Sequence, residues 1–160
     1  DDAPEVGLMF DGRISENFKL ASGTWVSVGP LRTRLIEALA PLLLDAVVGG
    51  HDRSAVSVLA WLRRDAAAEF CGLPANTPMA QLVGHPKVRE HLAVRLREHN
   101  RAAGGSSRQV AALLLLDVPP LPDEIVDKGY INQRAALRNR AAELKTLYAA
   151  TAPEVIFPAP

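Results

Sequence analysis

The chain has 160 residues, with 18 Lys+Arg against 18 Asp+Glu, 48% apolar and 22% charged. That length fits one domain, or one domain with an insertion, and zero net charge implies no general attraction to nucleic acid or anionic lipid. The lone Cys71 excludes an internal disulfide framework and suits a reducing cytoplasm, while the longest apolar run, Val110 to Leu116, is too short to span a bilayer.

No signal-peptide pattern opens the chain and no initiating methionine is present. The opening "DDAPEVG" reads as a cut in a linker, so a piece of a longer protein is expected. Leu8–Met9–Phe10 is a short strand candidate. Phe18–Leu20 and Trp25–Val28, joined through "ASG", predict a β-hairpin. Pro30 suits a first helical turn, and Leu31, Leu35, Ile36 and Leu39 follow it at helical spacing.

Ala46–Val48 and Val56–Leu62 are strand candidates around the turn-like "GGHDRS". A helix-biased stretch follows near Arg64–Phe70. Pro86 opens a longer helix with Val88, Leu92 and Leu96 on one face and Lys87, Arg89, Arg97 and Arg101 on the other. Glu90 and Glu98 interrupt that basic side, which reads first as a solvated face. "AAGGSS" ends the helix. Gln109–Leu116 predicts a buried strand, "DVPPLPD" a surface crossing, and Asn132–Tyr148 one long helix; the tail 151–160 is expected to be loosely held. The sum is an α+β domain over 1–150: a small mixed sheet and an N-terminal β-hairpin packed with about four helices.

Several chemistries find no pattern. There is no Gly-x-Gly-x-x-Gly and no Gly-Lys-Ser/Thr, so Gly104–Gly105 reads as a helix stop. His51, His85, His91 and His99 lack metal-binding spacing and cysteine partners, and no metal site is expected. Cys71 lies in an apolar context and no Gly-x-Ser-x-Gly occurs, which argues against a nucleophilic hydrolase. Trp25 and Trp61 read as core or hairpin packing.

Two stretches remain: "FDGRISENFKLASGTWVSVGPLRTRLIEAL" (10–39) and "DEIVDKGYINQ" (123–133). In this order they resemble the C-terminal domain of the AMP-forming acyl-CoA synthetases of the adenylate-forming superfamily, most like the feruloyl-CoA synthetase group. The resemblance runs over nearly the whole chain and is strongest at 10–39 and 108–137.

It implies a lid that closes in two orientations over an N-terminal domain of the same polypeptide, which holds the ATP and acyl pockets. By its place in the motif, Lys128 is the lysine that enters the active site and offsets negative charge as the acyl-adenylate forms. A compact ammonium on a flexible stem suits that role, and Gly129 would let the loop approach closely. Lys19 matches a family lysine of the second orientation. Leu20, Ala21, Ser22, Gly23 and Thr24 match the wall of the pantetheine tunnel, Arg13 the arginine that approaches the nucleotide, and Ser15 with Glu16 the hinge. Ser15 stands where the family usually carries aspartate or lysine, and "DKG" replaces the commoner "GK". ATP, CoA and Mg2+ are the implied cofactors, bound mainly by the other domain. The implied substrate is a carboxylic acid, a hydroxycinnamate or fatty acid, and the fragment alone should be inactive. Rival readings are a non-catalytic interaction or regulatory module, and the lid of an adenylating domain that loads a carrier-protein thiol.

Overall fold

A computed structural model describes residues 16–126, 129–149 and 151–160. The strand expected at Leu8–Phe10 lies outside the described residues. The hairpin forms as the sequence predicts, from β1 (Phe18–Lys19) and β2 (Trp25–Val26) paired antiparallel. Helix α1 (Val28–Ala38) follows directly, and its first N–H, on Val28, donates to Asn17 Oδ1 at 3.0 Å, so the hairpin caps the helix.

The sheet has three strands: β3 (Leu43–Gly49), β4 (Val56–Leu62) and β5 (Val110–Leu115), in the order β3-β4-β5. β3 runs antiparallel to β4, whereas β5 runs parallel to it. A parallel neighbour needs a crossover. Here it is made by α2 (Arg64–Cys71), α3 (Met79–Val83) and α4 (Pro86–Ala102).

Every residue of β4 is buried, as a strand covered on both faces must be. Alternation divides its side chains between two cores. Val56, Val58, Ala60 and Leu62 join Leu20, Val26, Leu31 and Leu35 and the Val88–Leu92–Leu96 stripe of α4. Leu59 and Trp61 join Val47, Leu114, Ile131, Ala136 and Leu147 on the other side. That second face is covered by α5 (Gln133–Asn139) and α6 (Ala141–Ala149). The α+β expectation holds, with six α-helices among the described residues in place of about four.

The expected single helix over Asn132–Tyr148 is divided at Arg140, where the backbone turns to φ −105° and ψ 32°. There the guanidinium reaches inward to Glu124: Nε donates to Oε2 at 3.1 Å and Nη2 to Oε1 at 3.0 Å. Both residues are buried, Glu124 completely. The Leu121 N–H adds 2.7 Å to Oε1, and Asn139 Nδ2 adds 3.3 Å to Oε2. Burial pushes the Glu124 carboxyl up, but the Arg140 hydrogen bonds and charge, the Leu121 N–H and Asn139 outweigh it and hold the carboxyl below its ordinary range.

The tail is a second correction. Val155 and Ile156 are buried, and Ile156 exchanges backbone hydrogen bonds with Leu113 at 2.7 and 2.8 Å. Arg89 donates to the carbonyls of Pro153, Glu154 and Val155, and Arg97 to that of Pro160. Arg95 of the same helix donates to Ala38 O. Arg89 and Arg97, which read as part of a solvated face, therefore fasten the tail, and Arg95 fastens the end of α1. A proline-rich composition hid this, because the tail is held by backbone pairing and by donors distant in sequence.

Two outcomes follow. Ile156→Ala should lower stability by about 2–5 kcal/mol in urea unfolding, as for other large-to-small core changes, whereas a loose tail would leave it within about 0.5 kcal/mol. Because the Glu124 carboxyl is depressed in the fold, its ionised form contributes stability at neutral pH that is lost as pH falls through the ordinary glutamate range toward the folded value. Glu124→Gln should therefore be less stable than wild type at pH 7, and the two curves should converge in acid.

Candidate functional site

The two stretches singled out in the sequence fold into tight turns of similar construction. In the hairpin, Leu20 N–H donates to Thr24 O at 2.9 Å and Gly23 N–H to Leu20 O at 2.8 Å. In the later loop, Val126 N–H donates to Tyr130 O at 2.9 Å and Gly129 N–H to Val126 O at 2.8 Å. The glycines have φ of +89° and +82°, the left-handed region that closes such turns. A Cβ at either glycine would meet nothing within 4 Å, so handedness and not close approach requires the residue. Asp127 and Lys128 lie outside the described residues, as do Arg13 and Ser15.

The hairpin is fixed to the sheet through the loop between β3 and β4: Asp52 N–H donates to Lys19 O at 3.0 Å and Ala21 N–H to Arg53 O at 2.8 Å. Ala21, Ser22, Gly23 and Thr24 are exposed, and Ser22 Oγ lies 2.9 Å from Thr24 Oγ1. Leu20 is different: its side chain is buried in the core, so it anchors the turn and does not line its surface. Lys19 is exposed, with Nζ 5.2 Å from the ring centre of Trp25, whose own exposure reaches 59%. Trp61 is the core tryptophan, and Trp25 lies on the surface of the hairpin.

A groove of about 590 Å³ lies beside the hairpin, bounded by Lys19, Trp25, His51, Asp52, Gln133 and Arg134. Glu16 is half-buried at its rim. Gln133, the last residue of the 123–133 stretch, also borders the groove. Its Oε1 accepts from Val48 N–H at 2.9 Å and its Nε2 donates to Val48 O at 3.1 Å. A side-chain amide thus pairs with β3 as a neighbouring strand would, and sets α5 against the sheet edge.

The segments on either side of residues 127–128 form a short arm. Trp61 Nε1 donates to Val118 O at 2.9 Å, a 3₁₀ turn covers Pro122–Glu124, and Ile125 bridges antiparallel to Ile131. Asn132 N–H donates to Glu124 O at 2.6 Å, and the Asn132 side chain then caps α5 by accepting from Ala135 N–H at 3.1 Å. Ile131 is buried, whereas Ile125 and Tyr130 near the tip are 44% and 51% exposed. No spacing rule would have found the Glu124–Arg140 contact beneath this arm, because neither residue belongs to a recognised pattern.

The remaining polar residues have structural duties. His85 Nδ1 accepts from Lys87 N–H at the start of α4, His99 Nε2 lies 2.8 Å from Arg108 O, and His91 packs 4.8 Å from the Phe70 ring. Burial pushes the Cys71 thiol up, with Lys87 opposing only in part, which does not favour a thiolate. Among the described residues no group of three or more His, Cys, Asp or Glu could hold a metal ion. No described helix is long and apolar enough to cross a membrane.

No family profile matches this chain, and comparison with curated proteins gives no match. Solved structures do share its fold. The A domain of carboxylic acid reductase from Segniliparus rugosus, in complex with AMP and a co-purified carboxylic acid, is 18% identical with a TM-score of 0.63 over 88% of this chain and 21% of its own. The A-PCP didomain of carboxylic acid reductase from the same organism, in complex with AMP, is 19% identical with a TM-score of 0.61, covering 84% of this chain and 17% of its own. The adenylation domain of the carboxylate reductase from Mycobacterium chelonae is 18% identical with a TM-score of 0.60, covering 86% and 20%. The chain therefore spans about a fifth of the length of these structures and has the fold of one part of an adenylation domain.

Proposed function

We propose that the chain is the C-terminal lid of an ATP-dependent acid–thiol ligase. The observation that carries this reading is the Lys128 turn: a glycine-closed turn on a braced arm, with its lysine at the superfamily motif position, within a fold shared with adenylation domains. The N-terminal domain of the same polypeptide would hold ATP, the acid and Mg2+, and the lid alone would be inactive.

In the first step the substrate carboxylate attacks the α-phosphate of ATP, an acyl-adenylate forms and pyrophosphate leaves. The Lys128 ammonium offsets the charge gathered between carboxylate and phosphate; in a site closed to water such a contact acts more strongly than in solution. Arg13 approaches the nucleotide. In the second step a thiolate attacks the acyl carbonyl, the thioester forms and AMP leaves. For this the lid turns about Ser15–Glu16 and presents the hairpin, with Lys19 and the exposed Ala21–Thr24 beside the pantetheine arm; Leu20 supports that wall from within.

The acceptor on this reading is free CoA, with a hydroxycinnamate or fatty acid as the acid, in the cytoplasm and in the manner of feruloyl-CoA synthetase. A carrier-protein thiol is the second reading, favoured by the likeness to an A-PCP didomain.

ATP–pyrophosphate exchange by the full-length polypeptide, across hydroxycinnamates and fatty acids, tests the proposal. One acid class should support exchange, and Lys128→Ala should reduce it by about 10²- to 10³-fold, as loss of a transition-state donor does. Undiminished exchange in Lys128→Ala would remove the catalytic assignment. A folded protein that exchanges with no acid would favour a non-catalytic interaction module.

A further inference from the structure

We infer that Tyr148, near the end of α6, is a positioning residue for the hairpin turn Ala21–Thr24. It acts on thioester formation and not on adenylate formation. This rests on the reading of the hairpin given above. Tyr148 belongs to the helix that covers the second face of the sheet, whereas the hairpin is rooted in the first core through Leu20 and Val26. The turn between β3 and β4 joins the two.

On the α6 side, the Arg53 guanidinium carbon lies 4.1 Å from the centre of the Tyr148 ring, a cation–π stack. The Gly50 backbone N–H donates to the Tyr148 hydroxyl. Burial pushes that hydroxyl's pKa up and outweighs Arg53 and the Gly50 N–H, so the group is a neutral phenol at pH 7. On the hairpin side, Asp52 N–H donates to Lys19 O at 3.0 Å and Ala21 N–H to Arg53 O at 2.8 Å. Arg53 N–H donates to Gly50 O at 2.8 Å and closes the turn between these contacts. Arg53 thus holds the hairpin with its carbonyl and Tyr148 with its side chain.

Gly49 marks the same contact independently. It ends β3, paired with Ser57, and its φ lies outside the left-handed region, so conformation does not call for glycine there. A Cβ at Gly49 would lie 2.6 Å from the Tyr148 hydroxyl oxygen and 3.2 Å from Leu144 Cδ2. A glycine inside a strand weakens it and often marks a close approach. Here the closest group is the hydroxyl, which a phenylalanine would lack. Asp52 stands at φ +58°, sparsely populated by non-glycine residues, and contacts on both sides help to fix the turn. The 118–132 arm is tied elsewhere, by Trp61 to Val118 O, by Arg140 to Glu124 and by the Asn132 cap. Loosening Tyr148 should therefore displace the hairpin turn and spare adenylate formation. On the proposed reading Ala21–Thr24 touch the pantetheine arm and not the reacting carbonyl, so their displacement should raise KM for CoA.

The test uses the full-length polypeptide carrying Tyr148→Phe, which keeps the stack and loses the hydroxyl, or Tyr148→Leu, which loses both. Gly49→Ala, alone and combined with Tyr148→Phe, completes the set. Two reactions are followed: ATP–pyrophosphate exchange, and thioester formation from supplied acyl-adenylate and CoA. KM for CoA should rise about threefold in Tyr148→Phe, the loss of one hydrogen bond, and about tenfold in Tyr148→Leu. Exchange should stay within about twofold of wild type in both. The double variant should show a lower KM for CoA than Gly49→Ala alone, because the clash with the hydroxyl is gone. Equal losses of kcat in both reactions, with KM for CoA unchanged, would make Tyr148 a structural brace and overturn the inference. Wild-type thioester formation in Tyr148→Leu while Lys19→Ala is impaired would also overturn it. Should Tyr148→Leu fail to fold, Tyr148→Phe and Gly49→Ala decide by the same KM. If Lys19→Ala forms thioester as wild type does, the reading of the hairpin fails and the inference fails with it.

Discussion

The fold depends on one demand: β4 is buried along its whole length and apolar at every position but Ser57, so both of its faces must be covered. The chain meets it from opposite ends. The hairpin, α1 and α4 cover one face, and α5, α6 and the tail cover the other. The hairpin turn therefore issues from one core, through Leu20 and Val26, and the Lys128 arm from the other, through Ile131. The hairpin and the start of α5 border one groove beside the β3 edge, where Gln133 pairs with Val48. On the proposed reading, a lid that offers different surfaces to successive steps would need its two turns braced separately, and the divided core is suited to that.

Polar interactions then refine positions that the apolar cores leave loose. Asn17 caps α1, Gln133 completes the sheet edge, the α4 arginines hold the tail, and Glu124 with Arg140 secures the arm. Each spends directional hydrogen bonds where two segments distant in sequence meet. Arg89, Arg95, Arg97 and Arg140 are committed to backbone carbonyls or to a carboxylate. Lys19 is exposed on the hairpin, with its Nζ 5.2 Å from the centre of the Trp25 ring.

Elements held by local pattern were legible. The hairpin, β4, the apolar stripe of α4 and β5 follow from alternation, helical spacing and turn residues, and they form close to where the sequence places them. Elements held by distant partners were not. Gln133 and Val48 are 85 residues apart, Arg140 and Glu124 are 16 apart, and the Arg89 contacts to the tail span 64 to 66. No periodicity encodes these pairings, so the helix break at Arg140 and the ordered tail were both missed. The site shows the same division. The turns could be read from Gly23 and Gly129, but a lysine beside a glycine carries no functional signal by itself, and only the motif resemblance distinguished Lys128 from a surface charge.

The central claim is that the two turns serve separate steps. The most direct measurement is a single-turnover comparison of Lys128→Ala and Lys19→Ala in the full-length polypeptide, following acyl-adenylate formation and its transfer to CoA independently. The account predicts a crossed pattern, with Lys128→Ala slowing the first step alone and Lys19→Ala slowing the second alone. Both substitutions slowing the same step, or neither slowing any, would contradict it.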